Sequence, residues 1–283
     1  MRYSEYHPQP ALNQFIDCFW ALESDSAVLR PQIERILPDG CMELILNFAS
    51  PFAQHNGDTQ TVQPRNFVVG QMTGPILIAP TGSVQLIGIR FHPGGTVPFL
   101  SLPMDELKDQ VVELAAFARK LENKLLAAST ELHKMAEKVR ALQRVLTKLL
   151  QDNRRDVRLL RIAAKMVAHW GMISIDDLAT ESGMSNRQLE RRFLRDVGVG
   201  PKLFSRILRF QQVFRAVEAN EICWPTVAVD CGYYDQAHLI RDFRQFAQQT
   251  PSVLFANQSA LTESFTRKHR VSGFSNTSRQ NLI

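Results

Sequence analysis

Arg187 and Arg191 stand four residues apart in the stretch SNRQLERRFLRDV that runs from Ser185 to Val197. A guanidinium is a rigid fork of donors that fits the two acceptors on the major-groove edge of guanine, so two arginines one helical turn apart could each read a base. Glu190, between them, could accept from cytosine or orient an arginine. Asn186 shares this outer face, while Leu189 and Phe193, also four apart, face the other way. The chemistry is hydrogen-bond recognition, with no bond made or broken. It requires a helix held firmly from behind with its polar face open.

The surrounding elements supply that support, and they occur twice. Ala179, Gly183, Leu189, Phe193 and Pro201 recur as Ala228, Gly232, Leu239, Phe243 and Pro251, at a spacing of 49 residues before the turn and 50 after it. In the first copy Ser174 caps a short helix with Ile175, Leu178 and Ala179 inward, and Asp177 is placed to complete a capping box. Small Ala179 lets the next helix cross closely, and Gly183 provides the left-handed residue that ends the first. Ser185 then caps the second helix. In the second copy Pro225 suits a first helical turn. Val227, Ala228 and Cys231 face inward, Gly232 ends the helix, and Asp235 caps the next. Leu239, Phe243 and Phe246 then face the core, leaving Gln236, His238 and Arg241 outside. One copy alone would be an ordinary pair of packed helices. Two copies in register describe two helix-turn-helix units, an arrangement suited to reading duplex DNA.

Residues 171–256 closely resemble the DNA-binding domain of AraC/XylS-type transcription regulators. The resemblance rests on Ile175 to Phe193, on VGVGPK at Val197 to Lys202, on FSRILRFQQ at Phe204 to Gln212, and on DCGYYDQAHLIRDFRQF at Asp230 to Phe246. Two positions depart from it: Gln248 stands where the family commonly has glycine, and Tyr233 where phenylalanine is commonest. The resemblance implies that one long helix, Pro201 to about Ala219, joins the units. At 1.5 Å per residue such a helix spans roughly 28 Å, against about 34 Å for one turn of B-DNA. One chain should therefore read two boxes of an asymmetric site. The resemblance also marks Gln236, His238 and Arg241 as DNA-facing, beside Ser185, Asn186, Arg187, Glu190, Arg191 and Arg195 of the first unit. Arg192, Arg195, Lys202 and Arg206 suit phosphate or structural contacts.

Charge agrees in part. The chain carries a formal +5 with a pI near 9.2, favouring an anionic partner. Residues 171–260 nevertheless hold ten acidic and ten basic side chains, so the arginines are concentrated on the first reader helix and specific contacts should outweigh non-specific attraction.

The front of the chain has strand-type alternation between residues 33 and 93, with Met42, Leu44, Leu46 and Phe48 interleaved with Glu43, Ile45 and Asn47 after the turn Pro38-Asp39-Gly40. Short runs at 67–70, 75–78 and 84–91 follow, each bounded by glycine or proline. A small antiparallel barrel or sandwich is expected, resembling the cupin-like sensor of many AraC-type regulators. Between the halves, 104–170 lacks glycine and proline and steps by heptads from Leu107 to Leu149. Two helices folding back near Ser129 and Thr130 are expected, with the stripe forming a homodimer contact. The expected class is thus α+β: a β-rich sensor at 1–104, a helical linker and dimerisation segment at 105–155, the double helix-turn-helix domain at 156–256, and a polar tail at 257–283 in which Arg267, Lys268, His269 and Arg270 add weak phosphate attraction.

Other chemistries find little. There is no His-x-His metal pattern, nucleophile elbow, phosphate loop or paired-carboxylate motif, so neither an enzyme nor a cofactor is expected. Arg90 and His92 share strand parity and could hold an acidic ligand, although a structural arginine and a turn histidine fit better. Cys18, Cys41, Cys223 and Cys231 lack metal spacing, which argues against the zinc-bearing alkylation-repair relatives. The start MRYSEYHPQP has no signal-peptide core, and no apolar run approaches a membrane span, so a cytoplasmic location with no membrane partner is expected. Duplex DNA is the expected partner, with RNA polymerase and a small-molecule effector also admitted. The competing reading is a cupin-like ligand-binding or isomerase-type barrel whose helices serve protein contacts only.

Overall fold

The computed structural model describes residues 1–24, 32–151, 157–218 and 222–256. Ten strands come first: β1 (Arg2–Tyr6), β2 (Ile16–Glu23), β3 (Glu34–Ile36), β4 (Met42–Asn47), β5 (Phe52–Asn56), β6 (Thr59–Val62), β7 (Asn66–Val69), β8 (Ile76–Pro80), β9 (Gln85–Phe91) and β10 (Val111–Glu113). They form two antiparallel sheets, one of six strands in the order β1-β2-β9-β4-β7-β10 and one of four in the order β3-β8-β5-β6. The expected barrel or sandwich is therefore present.

The larger sheet is buried on both faces. Cys18, Trp20, Ile45, Phe67 and Leu86 pack with Phe52 of the small sheet. Residues of opposite parity, such as Phe19, Leu44, Leu46, Ile87 and Ile89, pack beneath α1 (Leu114–Ser129) and α2 (Met135–Gln151). The heptad stripe is spent there: Leu114, Leu121, Leu125, Met135, Val139, Leu142 and Leu146 all lie in the core they share with the sheet. The expected homodimer seam is therefore corrected to an intramolecular one. A second correction concerns where the helices begin. Residues 104–107 are a short 3₁₀ turn, and β10 pairs Val111 with Val69 and Val112 with Val68, so β-branched side chains complete a sheet edge where the heptad pattern predicted helix. The fold-back at Ser129 and Thr130 is as expected. The Lys138 ammonium donates to the carbonyls of Ser129 (2.7 Å) and Thr130 (3.2 Å), satisfying the orphan acceptors at the end of α1.

The remaining helices are α3 (Arg158–Ala168), α4 (Ile175–Glu181), α5 (Asn186–Val197), α6 (Pro201–Glu218), α7 (Trp224–Asp230), α8 (Gln236–Phe246) and α9 (Pro251–Ala256). They enclose two cores. The first gathers Ala163, Met166, Leu178, Ala179, Leu189, Phe193 and Phe204. The second gathers Phe210, Val213, Val227, Ala228, Leu239, Phe243 and Phe246. Helix α6 contributes to both, and so joins the units as the resemblance implied. The basic segment at 267–270 and the rest of the expected tail lie outside the described residues. Among those residues, no helix is long and apolar enough to cross a membrane.

The barrel touches both helical units. Arg35 donates to the Ala247 carbonyl (2.9 Å), Gln211 of α6 donates to the Pro38 carbonyl (2.5 Å), and Leu37 enters the second helical core. On the other side, the Gly94 turn lies against Leu160 and Val197, and Gly198 sits against Met104 and Gln71. The loop from β3 to β4 thus meets the linker helix, and the turn after β9 meets α3 and the end of α5.

Candidate nucleic-acid interface

The reader helices are fixed from behind and capped in front. In the first unit the Ser185 hydroxyl accepts from the Gln188 amide (3.3 Å) while the Gln188 side chain accepts from the Ser185 amide (2.9 Å), a complete capping box. Ser174 caps α4 by accepting from the Asp177 amide (3.2 Å). The expected return contact from Asp177 is replaced by a one-sided cap. In the second unit Asp235 accepts from the His238 amide at 2.7 Å. Leu189, Phe193, Leu239 and Phe243 are fully buried, anchoring α5 and α8 by the inward faces the spacing indicated.

The two turns also correspond. Gly183 and Gly232 adopt φ of +65° and +75°. After them Met184 and Tyr233 are buried, each donating its amide to the alanine carbonyl of its own repeat, Ala179 or Ala228, at 2.9 Å. The second unit then holds one further residue, Tyr234, before its cap. This insertion changes the spacing from 49 to 50, and its ring is 91% exposed beside the start of α8. In the sequence, the signal for Tyr234 is the change in spacing alone. At the far ends, Gly198 terminates α5 at φ +96° and its counterpart Gln248 takes the same left-handed region at φ +56°. A side chain there costs about 1–2 kcal/mol, against about 0.5–1 kcal/mol for the extra freedom of a glycine in the unfolded chain. Gln248→Gly is therefore expected to stabilise the protein by about 0.5–1 kcal/mol, read as a rise in thermal midpoint; a fall would show that the glutamine makes a compensating contact.

Arg187, Glu190 and Arg191 are exposed on α5, and Arg241 is exposed on α8; Gln236 and His238 are half-buried. Among the described residues, no ion pair engages Arg187, Arg191 or Arg241. Other predicted site residues are engaged: Asn186 donates to Asp176 of α4 (2.6 Å) and Arg195 to Asp196 (2.9 Å). Glu190 lies over Gly200, where a Cβ would come within 2.2 Å of its carboxylate. Arg187 and Glu190 from α5 and His238 from α8 line one groove of about 760 Å³, floored by Lys202, Ser205, Arg206 and Arg209 of α6. The two readers therefore open onto a common space.

Arg206 has a structural duty within it. Its guanidinium donates to Asp242 (2.7 and 3.2 Å) and to Gln245 (2.6 Å), tying α8 to α6, and Asp242 has no exposure. His238 packs edge-on against Tyr233.

Arg90 and His92 share Asp17 as a neighbour but open onto different surroundings. Register places Glu43 directly across from Arg90 on β4 and Cys18 across on β2. Arg90 is 3% exposed and pairs with Glu43 (2.8 Å), Asp39 and Asp17 (3.7 Å). With three carboxylates around it, its donors are already claimed, which matches the structural arginine. Burial pushes the Glu43 carboxyl up despite the neighbouring guanidinium. His92 instead lines a cleft of about 420 Å³ between the barrel and α3, with Asn13, Asp17, Leu160 and Arg161. Burial lowers its pKa there.

With this geometry in place, sequence comparison is informative. Residues 178–257 match the family described as a helix-turn-helix domain, and residues 4–113 match a domain of unknown function, DUF6597. An uncharacterised HTH-type transcriptional regulator of Haemophilus influenzae is 27% identical over 103 residues, 36% of this chain, and the match spans about a third (34%) of that protein. An apo form of ToxT from Vibrio cholerae superposes with a TM-score of 0.40 at 11% identity, covering 83% of this chain and 96% of the other. The AraC-like transcriptional activator CuxR superposes with a TM-score of 0.27 at 11% identity, covering 76% and 79%. The duplicated, capped helix pairs and the match over 178–257 together make the C-terminal part of this chain a helix-turn-helix domain.

Proposed function

We propose that the chain is a sequence-specific DNA-binding transcription regulator that acts by binding, without catalysis, in the cytoplasm of a bacterial-type cell. The observation that carries this reading is the pair of reader helices, α5 and α8, opening onto one groove from a shared linker helix. Eighteen residues of α6 make a connector roughly 27 Å long, a length suited to units placed in successive major grooves on one face of a duplex. Arg187 and Arg191 of the first unit, with Ser185, Asn186, Glu190 and Arg195 around them, read one box. Gln236, His238 and Arg241 read the other. Because the barrel contacts both units, a small-molecule effector acting on it would alter their disposition, and RNA polymerase is the partner through which bound protein would act on transcription.

Selection of duplexes from a random library, followed by quantitative binding, tests the assignment. Arg187→Ala is expected to lose about 1–3 kcal/mol of base discrimination at one box only, and Arg241→Ala a similar amount at the other. If either variant retained the parent's preference at every position, that helix would not be a reader. The rival barrel-enzyme reading predicts no retention on DNA; a regulator must instead show affinity that falls steeply with salt.

A further inference from the structure

Two buried donors in the groove between the readers lack acceptors. Ser205 is 5% exposed, and its hydroxyl has no hydrogen-bond partner; neither has the buried Nε of Arg209. Both stand on α6, where 202, 205, 206 and 209 follow the i, i+3, i+4, i+7 spacing of one helix face, and all four residues line the groove. Leaving such a donor unpaired forfeits the hydrogen bond it would make to water, and alanine would serve a helix interior better than serine. The arrangement therefore costs stability unless something enters to accept from it.

The groove indicates what that acceptor is. Lys202 and Arg187 add exposed cationic groups above Ser205 and Arg209, while Arg206 is already engaged by Asp242. Two carboxylates also line it, Asp176, which accepts from Asn186, and Glu190, which lies over Gly200. Against those two carboxylates the groove sets four cationic groups, from Arg187, Lys202, Arg206 and Arg209, together with the Ser205 hydroxyl, and so keeps a cationic excess. That set matches an oxygen-rich anion. Its position matters equally: a duplex lying across two readers one turn apart presents, between the boxes, the minor groove and the phosphates that border it.

We propose that Ser205 and Arg209, with Lys202 at the rim, form a phosphate seat on the linker helix that takes a phosphodiester of the DNA backbone between the two boxes. The seat adds no base preference; it fixes register, so that both readers meet their bases together. This inference rests on the DNA-binding reading above, and its test separates the two.

The experiment uses the full chain, a 40-bp duplex of mixed sequence, inorganic phosphate, and the variants Ser205→Ala and Arg209→Gln, the duplex length being about four helical turns. Ser205→Ala is expected to weaken duplex binding about tenfold, the loss of one charge-assisted hydrogen bond, while its thermal midpoint is unchanged or higher. A merely structural serine would give the opposite pattern. Arg209→Gln is expected to reduce the slope of log affinity against log salt by about 0.9, equally on all duplexes. If duplex binding is unchanged in both variants, or the parent binds no duplex, calorimetry with inorganic phosphate decides the matter. One-to-one phosphate binding by the parent that is lost in Ser205→Ala supports the seat with a free phosphate as its ligand. Parental behaviour of Ser205→Ala toward both probes overturns it.

Discussion

Arg90→Leu is expected to destabilise the barrel by about 3–5 kcal/mol, the cost of leaving buried charge without its partner. Asp17 on β2 and the pair Asp39 and Glu43, four residues apart at the start of β4, meet around the guanidinium. Without it, three carboxylates face one another beside the hydrophobic layer of Trp20, Ile45 and Phe67. The loss should depend on pH, with a sign that follows from linkage. In the parent, burial already holds the Glu43 carboxyl above its unfolded value. Its contribution thus favours the fold below the unfolded value and is lost as pH rises through the folded one. Removing Arg90 takes away the charge that holds the Glu43 carboxyl down against burial, widening that window. Urea unfolding should therefore show a smaller deficit at about pH 5 than at about pH 8. A uniform deficit under 1 kcal/mol at both would mean that the network is solvated and of little consequence.

The second large effect lies at the joint between linker and reader. Arg206→Met should cost about 3–5 kcal/mol, because Asp242 has no exposure and would keep a buried charge with nothing to balance it. Removing both partners, as Arg206→Met with Asp242→Leu, should restore most of the loss, since apolar replacement of a buried pair is often neutral or better. Thermal unfolding of the two single variants and the double variant checks this. Because the pair ties α8 to α6, the single variant should also weaken recognition at the second box more than at the first. Equal melting of all the proteins would remove Asp242 from any part in positioning α8.

Much of the reading half was legible because its constraints are local. A glycine needed at positive φ, a cap two or three residues beyond it, and apolar residues four apart are all written within twenty residues of one another, and they occur twice. Even the inserted Tyr234 was visible as the change in spacing from 49 to 50. Gln248 shows the limit of that logic, since the left-handed turn persists without the glycine that would normally announce it. The helical stripe from Leu107 to Leu149 was legible as an apolar face, but periodicity does not say what covers such a face. A second chain and the protein's own sheet are equivalent to the pattern, and the sheet covers it here.

The polar clusters were hidden for a different reason. Asp17 and Arg90 are brought to Asp39 and Glu43 by strand register, and Arg206 to Asp242 by the crossing of two helices; neither meeting leaves a short spacing in the chain. Strand parity associated Arg90 with His92, yet one lies among carboxylates inside the barrel and the other faces α3. Ser205 and Arg209 were hidden similarly, because an unpaired donor can be recognised only once its surroundings are known.

The account depends most on the claim that one chain places two helices in successive major grooves. Hydroxyl-radical footprinting of the purified protein on a duplex selected from random sequence tests this directly. The expected result is two protected segments about 10–10.5 bp apart, centre to centre, on one face of the DNA, with Arg187→Ala thinning protection over one and Arg241→Ala over the other. A single protected segment, or two that respond alike to both substitutions, would contradict it.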